Sequence, residues 1–333
     1  MLTSFIVGAL LSGGITVFVY SQMPSSTLKA IRESDIDPNN TYKFTDPLIT
    51  LSSSNIESPL YDALEQNIES YIAEQKPDGL LAASVYFRDI NESKGFTINP
   101  GDTYYPASLY KVPVMMTYYE IAEQDPSILS EQLPYAGVSN LNNMEEVRSP
   151  IQLTPGTTYT VEELIEHMIR YSDNNAAQLL LSNLSSSGRY QEYLNLFTSL
   201  GISTSTVDEA ADSLTVGKYP IFLRTLYNST FLDRDYSEKA LQLLTETDFT
   251  AGIESGIPNG VLVAQKFGET TVANEQTDIG KELSNCGIIY YPSHPYILCI
   301  MTKGVGDNVK GLESNIAAIS RMVYQKMEEI YPS

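Results

Sequence analysis

Apolar positions recur at helical spacing through Leu60, Leu64, Ile68 and Ile72, which predicts an amphipathic helix over residues 59–75. The period then changes. Residues 81–89 and 94–98 alternate or run apolar as strands do, and Asn91-Glu92-Ser93 between them reads as a hairpin turn. Helical patterns follow over 109–124, 161–171, 175–184, 188–200, 216–227 and 237–244, with Thr160 and Glu163 spaced as a capping box. Strand-like runs return at 261–266, 285–291 and 296–302, the last two flanking Pro292-Ser293-His294-Pro295. Leu312, Ile316, Ile319, Val323 and Met327 predict a closing helix. Strands at both ends of the pattern with helices between them imply an α+β fold. The expected architecture is an antiparallel sheet built from both chain ends, with flanking helices and an inserted all-helical lobe.

The segment before this pattern is different. Residues 5–20 carry no charge and no proline, and sixteen residues of helix span roughly 24 Å against a hydrocarbon core of ~30 Å. Residues 1–21 are therefore expected to be a signal anchor or signal peptide, although Val19 and Ser21 make a mediocre cleavage site. Lys29 and Arg32 follow the segment, so flanking charge gives little guidance on orientation. Residues 22–54, rich in Ser, Asp, Asn and Pro without a period, read as a flexible linker. The expectation is an exported, membrane-tethered protein, or a secreted one if the segment is cleaved, with residues 55–333 as one two-lobed domain.

Of 333 residues, 42% are hydrophobic and 18% charged, which suits a globular core. Twenty basic residues against 41 acidic ones give a net charge of −21, a field that repels phosphate backbones and excludes a general nucleic-acid binder. Two cysteines and two histidines exclude a disulfide-dense scaffold and most zinc frameworks.

Chemistry concentrates in Tyr105-Pro106-Ala107-Ser108-Leu109-Tyr110-Lys111. Ser-x-x-Lys at a helix start puts hydroxyl and amine on one face. A desolvated lysine can lose its proton and activate the serine, and the helix N-terminus offers a backbone N–H to an oxyanion. The pattern alone is weak, for Ser26 to Lys29 repeats it in the linker. Two further elements follow in order. Ser172-Asp173-Asn174 is a polar break between helices, which alone reads as an ordinary turn. Lys266-Phe267-Gly268-Glu269 ends a strand, where a lone lysine would guard an edge.

Together, Ser108-x-x-Lys111, Ser172-Asp173-Asn174 and Lys266-x-Gly268 resemble the motif set of the class A β-lactamases and penicillin-binding proteins. The resemblance covers roughly residues 56–330, including the run 256–260 into the Lys266 strand and Thr277-Asp278-Ile279 after it. It implies a β-lactamase/transpeptidase-like fold and a serine hydrolase that opens a β-lactam amide through an acyl-enzyme, without a cofactor. By the same resemblance Ser108 is the nucleophile and Lys111 its proton acceptor. Ser172 relays the proton to the leaving nitrogen, and Asn174 donates to the substrate's amide side chain. Asp173 holds its loop. Lys266 gives positive potential for a substrate carboxylate and helps keep Lys111 neutral. The backbone N–H groups of Ser108 and Glu269 form the oxyanion hole, and Gly268 leaves room for substrate along the strand.

Two departures bear on function. Phe267 stands where the family usually carries a hydroxyl, and a phenyl ring cannot hydrogen-bond a carboxylate. The stretch 200–218 lacks the Glu-x-x-Leu-Asn of class A enzymes, leaving Asp208 and Glu209 as weak candidates for a deacylating base. Without a base the acyl-enzyme persists, so the alternatives are a D,D-peptidase-like penicillin-binding enzyme on cell-wall peptides or a non-catalytic envelope binding protein. Elsewhere, Cys286, His294 and Cys299 around one turn make poor zinc geometry, and the cysteines are expected to be free buried thiols rather than a disulfide. His167 has no partner at ligand spacing and reads as structural. The 23 tyrosines read as core and cleft lining, with Tyr105 at the cleft entrance.

Overall fold

The computed structural model describes residue 32 and residues 41–48, 59–202, 214–272 and 280–332. The apolar segment 1–21, the candidates Asp208 and Glu209, and Thr277-Asp278-Ile279 lie outside the described residues. No helix among the described residues is long and apolar enough to cross a membrane.

Helix α1 (Asp62–Gln75) leads into β1 (Leu80–Asp89) and β2 (Gly95–Ile98). The helical lobe follows: α2 (Lys111–Gln124), α3 (Val161–Arg170), α4 (Asn174–Ser186), α5 (Tyr190–Ser199), α6 (Pro220–Tyr227) and α7 (Arg234–Leu244). A small ribbon of β3 (Gln132–Pro134) and β4 (Thr158–Thr160) precedes α3. The chain then returns through β5 (Val263–Val272), β6 (Gly280–Ile289) and β7 (Tyr296–Val305) and ends in α8 (Val309–Ile330). The strands form one antiparallel sheet in the order β2-β1-β7-β6-β5, so both chain ends build it as the hydrophobic pattern predicts.

Strand alternation divides the sheet between two cores. Along β7, Tyr296, Leu298 and Ile300 pack with Leu64 and Ile68 of α1 and Ile316 and Ile319 of α8. Ile297, Cys299 and Met301 face the helical lobe, with Val114 and Leu223 in the same core. Both faces being covered explains why β7 reads as a continuous apolar run. Cys286 and Cys299 stand opposite each other on β6 and β7, on the helical-lobe face, and are joined by a disulfide. This corrects the expectation of free thiols: the register brings the two side chains to one point.

Other element limits differ for identifiable reasons. The helix expected over 216–227 begins only at Pro220, which fits the first helical turn because it has no N–H to offer. Strands β5 and β6 extend through polar residues beyond the expected 261–266 and 285–291. There Lys281 and Glu269, diagonal neighbours on one face, pair at 2.7 Å and are buried.

Part of the stretch read as linker lies against the domain. The Glu238 carboxylate of α7 accepts the backbone N–H groups of Lys43, Phe44 and Thr45, and Asp46 donates to the carbonyl of Tyr227. Arg32 is buried, donating to the Ile90 carbonyl and to Asn91 Oδ1. Glu238→Ala leaves three N–H groups without their acceptor, at a cost of about 1–3 kcal/mol. A lower melting temperature with new protease cleavage within residues 41–48 is the expected result.

Candidate active site

Ser108 lies in a short 3-10 turn, Ala107–Tyr110, that runs into α2 and carries Lys111 onto the same face. Ala107 just before it has a φ of +44°, and Ser172 has +51°. Such left-handed conformations cost of order 1–3 kcal/mol at a non-glycine residue and persist only where the surroundings fix them. At Ala107 the surroundings are β5. A Cβ built on Gly268 would meet the Pro106 carbonyl at 2.8 Å, Ser108 N at 3.1 Å and Ala107 Cβ at 3.2 Å. Gly268 thus admits the Ser108 turn against the edge strand.

The Ser172-Asp173-Asn174 break is set by its own side chains. Asp173, buried, caps α4 by accepting from Asn175 N and Ala176 N, and it also accepts from Leu153 N at 3.1 Å. This fixes Ser172 and Asn174 beside Lys111. The Lys111 Nζ stands 2.7 Å from Ser108 Oγ, 2.6 Å from the Ser172 carbonyl, 2.6 Å from Asn174 Oδ1 and 3.1 Å from Ser172 Oγ. Ser172 Oγ also receives Lys266 Nζ at 2.9 Å. Ser108, Lys111, Ser172, Asn174 and Lys266 are therefore one connected group.

Both amines are fully buried. Burial pulls Lys111 down to about 8, against the opposing charges of Glu145 and Asp173. The Ser172 carbonyl and Asn174 Oδ1 can only accept. A neutral amine gives them its two hydrogens and keeps its lone pair for Ser108 Oγ. Lys266 is held well below the usual lysine range by burial and by the neighbouring Lys111, with Glu145 and Asp248 pulling the other way.

Phe267 is on the opposite face of β5, buried and stacked on Phe249 with centroids 4.1 Å apart. Lys266 Nζ donates to the Phe267 carbonyl and lies 4.3 Å from the phenyl centroid. The amine is enclosed by Phe267 and Ser172, and its charged form is disfavoured.

Sequence reasoning missed one wall of the site. Glu145, in the polar loop between β3 and β4, accepts a hydrogen bond from Ser108 Oγ at 3.2 Å. The loop is pinned both to the helical lobe and to the sheet. Asn142 Oδ1 accepts from Asn174 N at 2.7 Å on the helical side. On the sheet side the buried Glu269 carboxylate accepts from Glu146 N and Val147 N while pairing with Lys281. Glu269 was expected only through its backbone. Its side chain, at 3% exposure, is a loop anchor. No periodicity or motif marks residues 140–147, so sequence gave no signal for Glu145. His167, taken as structural, packs edge-on between Tyr159 and Tyr171.

The sequence pattern of the beta-lactamase enzyme family matches residues 63–327. The chain belongs to that family. Among solved structures, PBP-A is 19% identical with a TM-score of 0.65, covering 80% of this chain and 97% of its own. The TLA-3 extended-spectrum beta-lactamase is 18% identical with a TM-score of 0.67, covering 80% and 98%. The class A beta-lactamase from Mycobacterium abscessus is 22% identical with a TM-score of 0.62, covering 78% and 98%. At these identities the likeness is one of fold. No curated protein matches the chain.

Gly268→Ala is expected to push β5 away from the Ser108 turn. A stability loss of about 1–3 kcal/mol is expected, read by thermal melting. An unchanged melting temperature would mean that the strand can shift without strain.

Proposed function

We propose that this family member is a serine acylase that opens β-lactam amides through a Ser108 ester. The observation that carries the reading is the Lys111 amine, fully buried, lowered to about 8 and 2.7 Å from Ser108 Oγ. Lys111 takes the Ser108 proton as Oγ attacks the carbonyl carbon. The backbone N–H groups of Ser108 and Glu269 hold the oxyanion. As the ring C–N bond breaks, the leaving nitrogen takes its proton from Ser172 Oγ, which is reprotonated by Lys111 with the proton taken from Ser108 and also faces Lys266. Asn174 Oδ1 is occupied by Lys111, which leaves its Nδ2 to donate to the substrate's amide side chain.

A penicillin-binding enzyme acting on cell-wall peptides is the second reading, favoured by the missing Glu-x-x-Leu-Asn in residues 200–218. PBP-A, similar in fold, has been seen as an acyl-enzyme with penicillin G in a mutant form. The enclosed Lys266 and the absent hydroxyl at Phe267 favour weak recognition of a substrate carboxylate under either reading. The uncharged run 5–20 would carry the domain out of the cytoplasm and tether it there.

Intact-protein mass spectrometry with a penicillin tests the reading. A covalent adduct is expected that is absent in Ser108→Ala and slowed by several orders of magnitude in Lys111→Ala. No adduct at any time would remove the acylase. Lys111 is ammonium below about pH 8 and neutral above it. The acylation rate should therefore climb about tenfold per pH unit up to that point and then level. A flat profile from pH 6 to 9 would exclude Lys111 as the base.

A further inference from the structure

We propose that Glu145 is the general base of deacylation, supplied by the loop between β3 and β4 rather than by the 200–218 stretch. The inference rests on the acylase reading above and starts from one contact. Ser108 Oγ has two proton acceptors within reach, Lys111 Nζ at 2.7 Å and Glu145 Oε1 at 3.2 Å. They approach from different elements: Lys111 from the helix that carries Ser108, Glu145 from across the cleft. Lys111 is committed on three further sides to Ser172 and Asn174. The Glu145 side chain is half-buried, and among the described residues it accepts its side-chain hydrogen bond from Ser108 Oγ.

The loop is built to hold this carboxylate. Glu269 and Lys281, both buried, clamp the two residues after Glu145 to β5 and β6. Asn142, three residues before, is tied to the first residue of α4, and Asn140 Oδ1 accepts from Asn175 Nδ2. A loop serving only to cover the cleft has no need of a buried ion pair between sheet strands. Here that pair fixes where a second carboxylate stands relative to the nucleophile.

Once Ser108 is acylated its Oγ has no proton to donate, and Glu145 turns to a water beside the ester. It removes one proton from that water as the oxygen forms a bond to the acyl carbon. The C–Oγ bond of the tetrahedral intermediate then breaks, and Oγ takes the proton back. The balance is ester plus water to free serine plus ring-opened acid, with Glu145 a carboxylate before and after. A group one water away from the reacting carbon satisfies the reach required of a general base.

Glu145→Gln keeps the side chain's size and removes its basicity. In time-resolved intact-mass measurements with a penicillin, the variant is expected still to form the Ser108 adduct, since Lys111 remains beside Ser108 Oγ. The adduct should persist at least about 100-fold longer, the usual worth of a general base. Added hydroxylamine, a nucleophile that needs no base, should release the acyl group from the variant. Equal adduct lifetimes in the two proteins overturn the proposal. So does an adduct of the unaltered protein that never decays, or a lifetime lengthened by Glu209→Gln and not by Glu145→Gln. An unaltered protein that forms no adduct refutes the acylase reading itself, a result distinct from all of these.

Discussion

A lysine amine with no access to water sits between Ser108, Ser172 and Asn174, and the surrounding architecture is arranged to keep it there. Burial in such a place weighs against its charged form and brings its pKa down to about 8. Neutral, it needs partners for two N–H groups and a target for its lone pair. The Ser172 carbonyl is offered only because Ser172 takes a left-handed φ, and that conformation holds because Asp173 caps α4 beneath it. The Lys266 amine above raises the cost of a second charge. Removing any of these supports lets water reach Lys111 and loosens its contact with Ser108 Oγ.

Much of this frame can be read from the chain. Helical and alternating periods mark the long elements, and three short motifs at increasing distance mark the side chains around Lys111. Less legible is whatever depends on polar residues being buried in pairs. Lys281 and Glu269 look like solvated strand ends, so β5 and β6 appear shorter than they are. Asn142 and Glu145 lie in a loop whose order comes from contacts with residues 32 and 123 positions away, invisible to local pattern. The cysteines show the same limit, since their pairing follows from register, which the spacing of 13 alone leaves open.

Phe267 shows how one substitution can be absorbed. The strand alternation sends its ring to the α8 face, where Phe249 stacks on it. The cost falls on Lys266, whose amine is left against a phenyl face and a carbonyl with no hydroxyl to share a substrate's charge. The Ser108–Lys111–Ser172 contacts therefore stand unaltered beside a Lys266 amine that is enclosed.

Strand β1 lies beside β7, with Val85 opposite Ile300 across more than two-thirds of the described chain. The helical lobe is an insertion whose ends are fastened only when that ladder closes. Long-range antiparallel closure of this kind is entropically late and slow. The serine enters from the first half of the chain, the serine–asparagine turn from the middle and the second lysine from the end. These side chains therefore meet only after the last strands have docked, so assembly of the site reports completion of the whole sheet rather than of any one lobe.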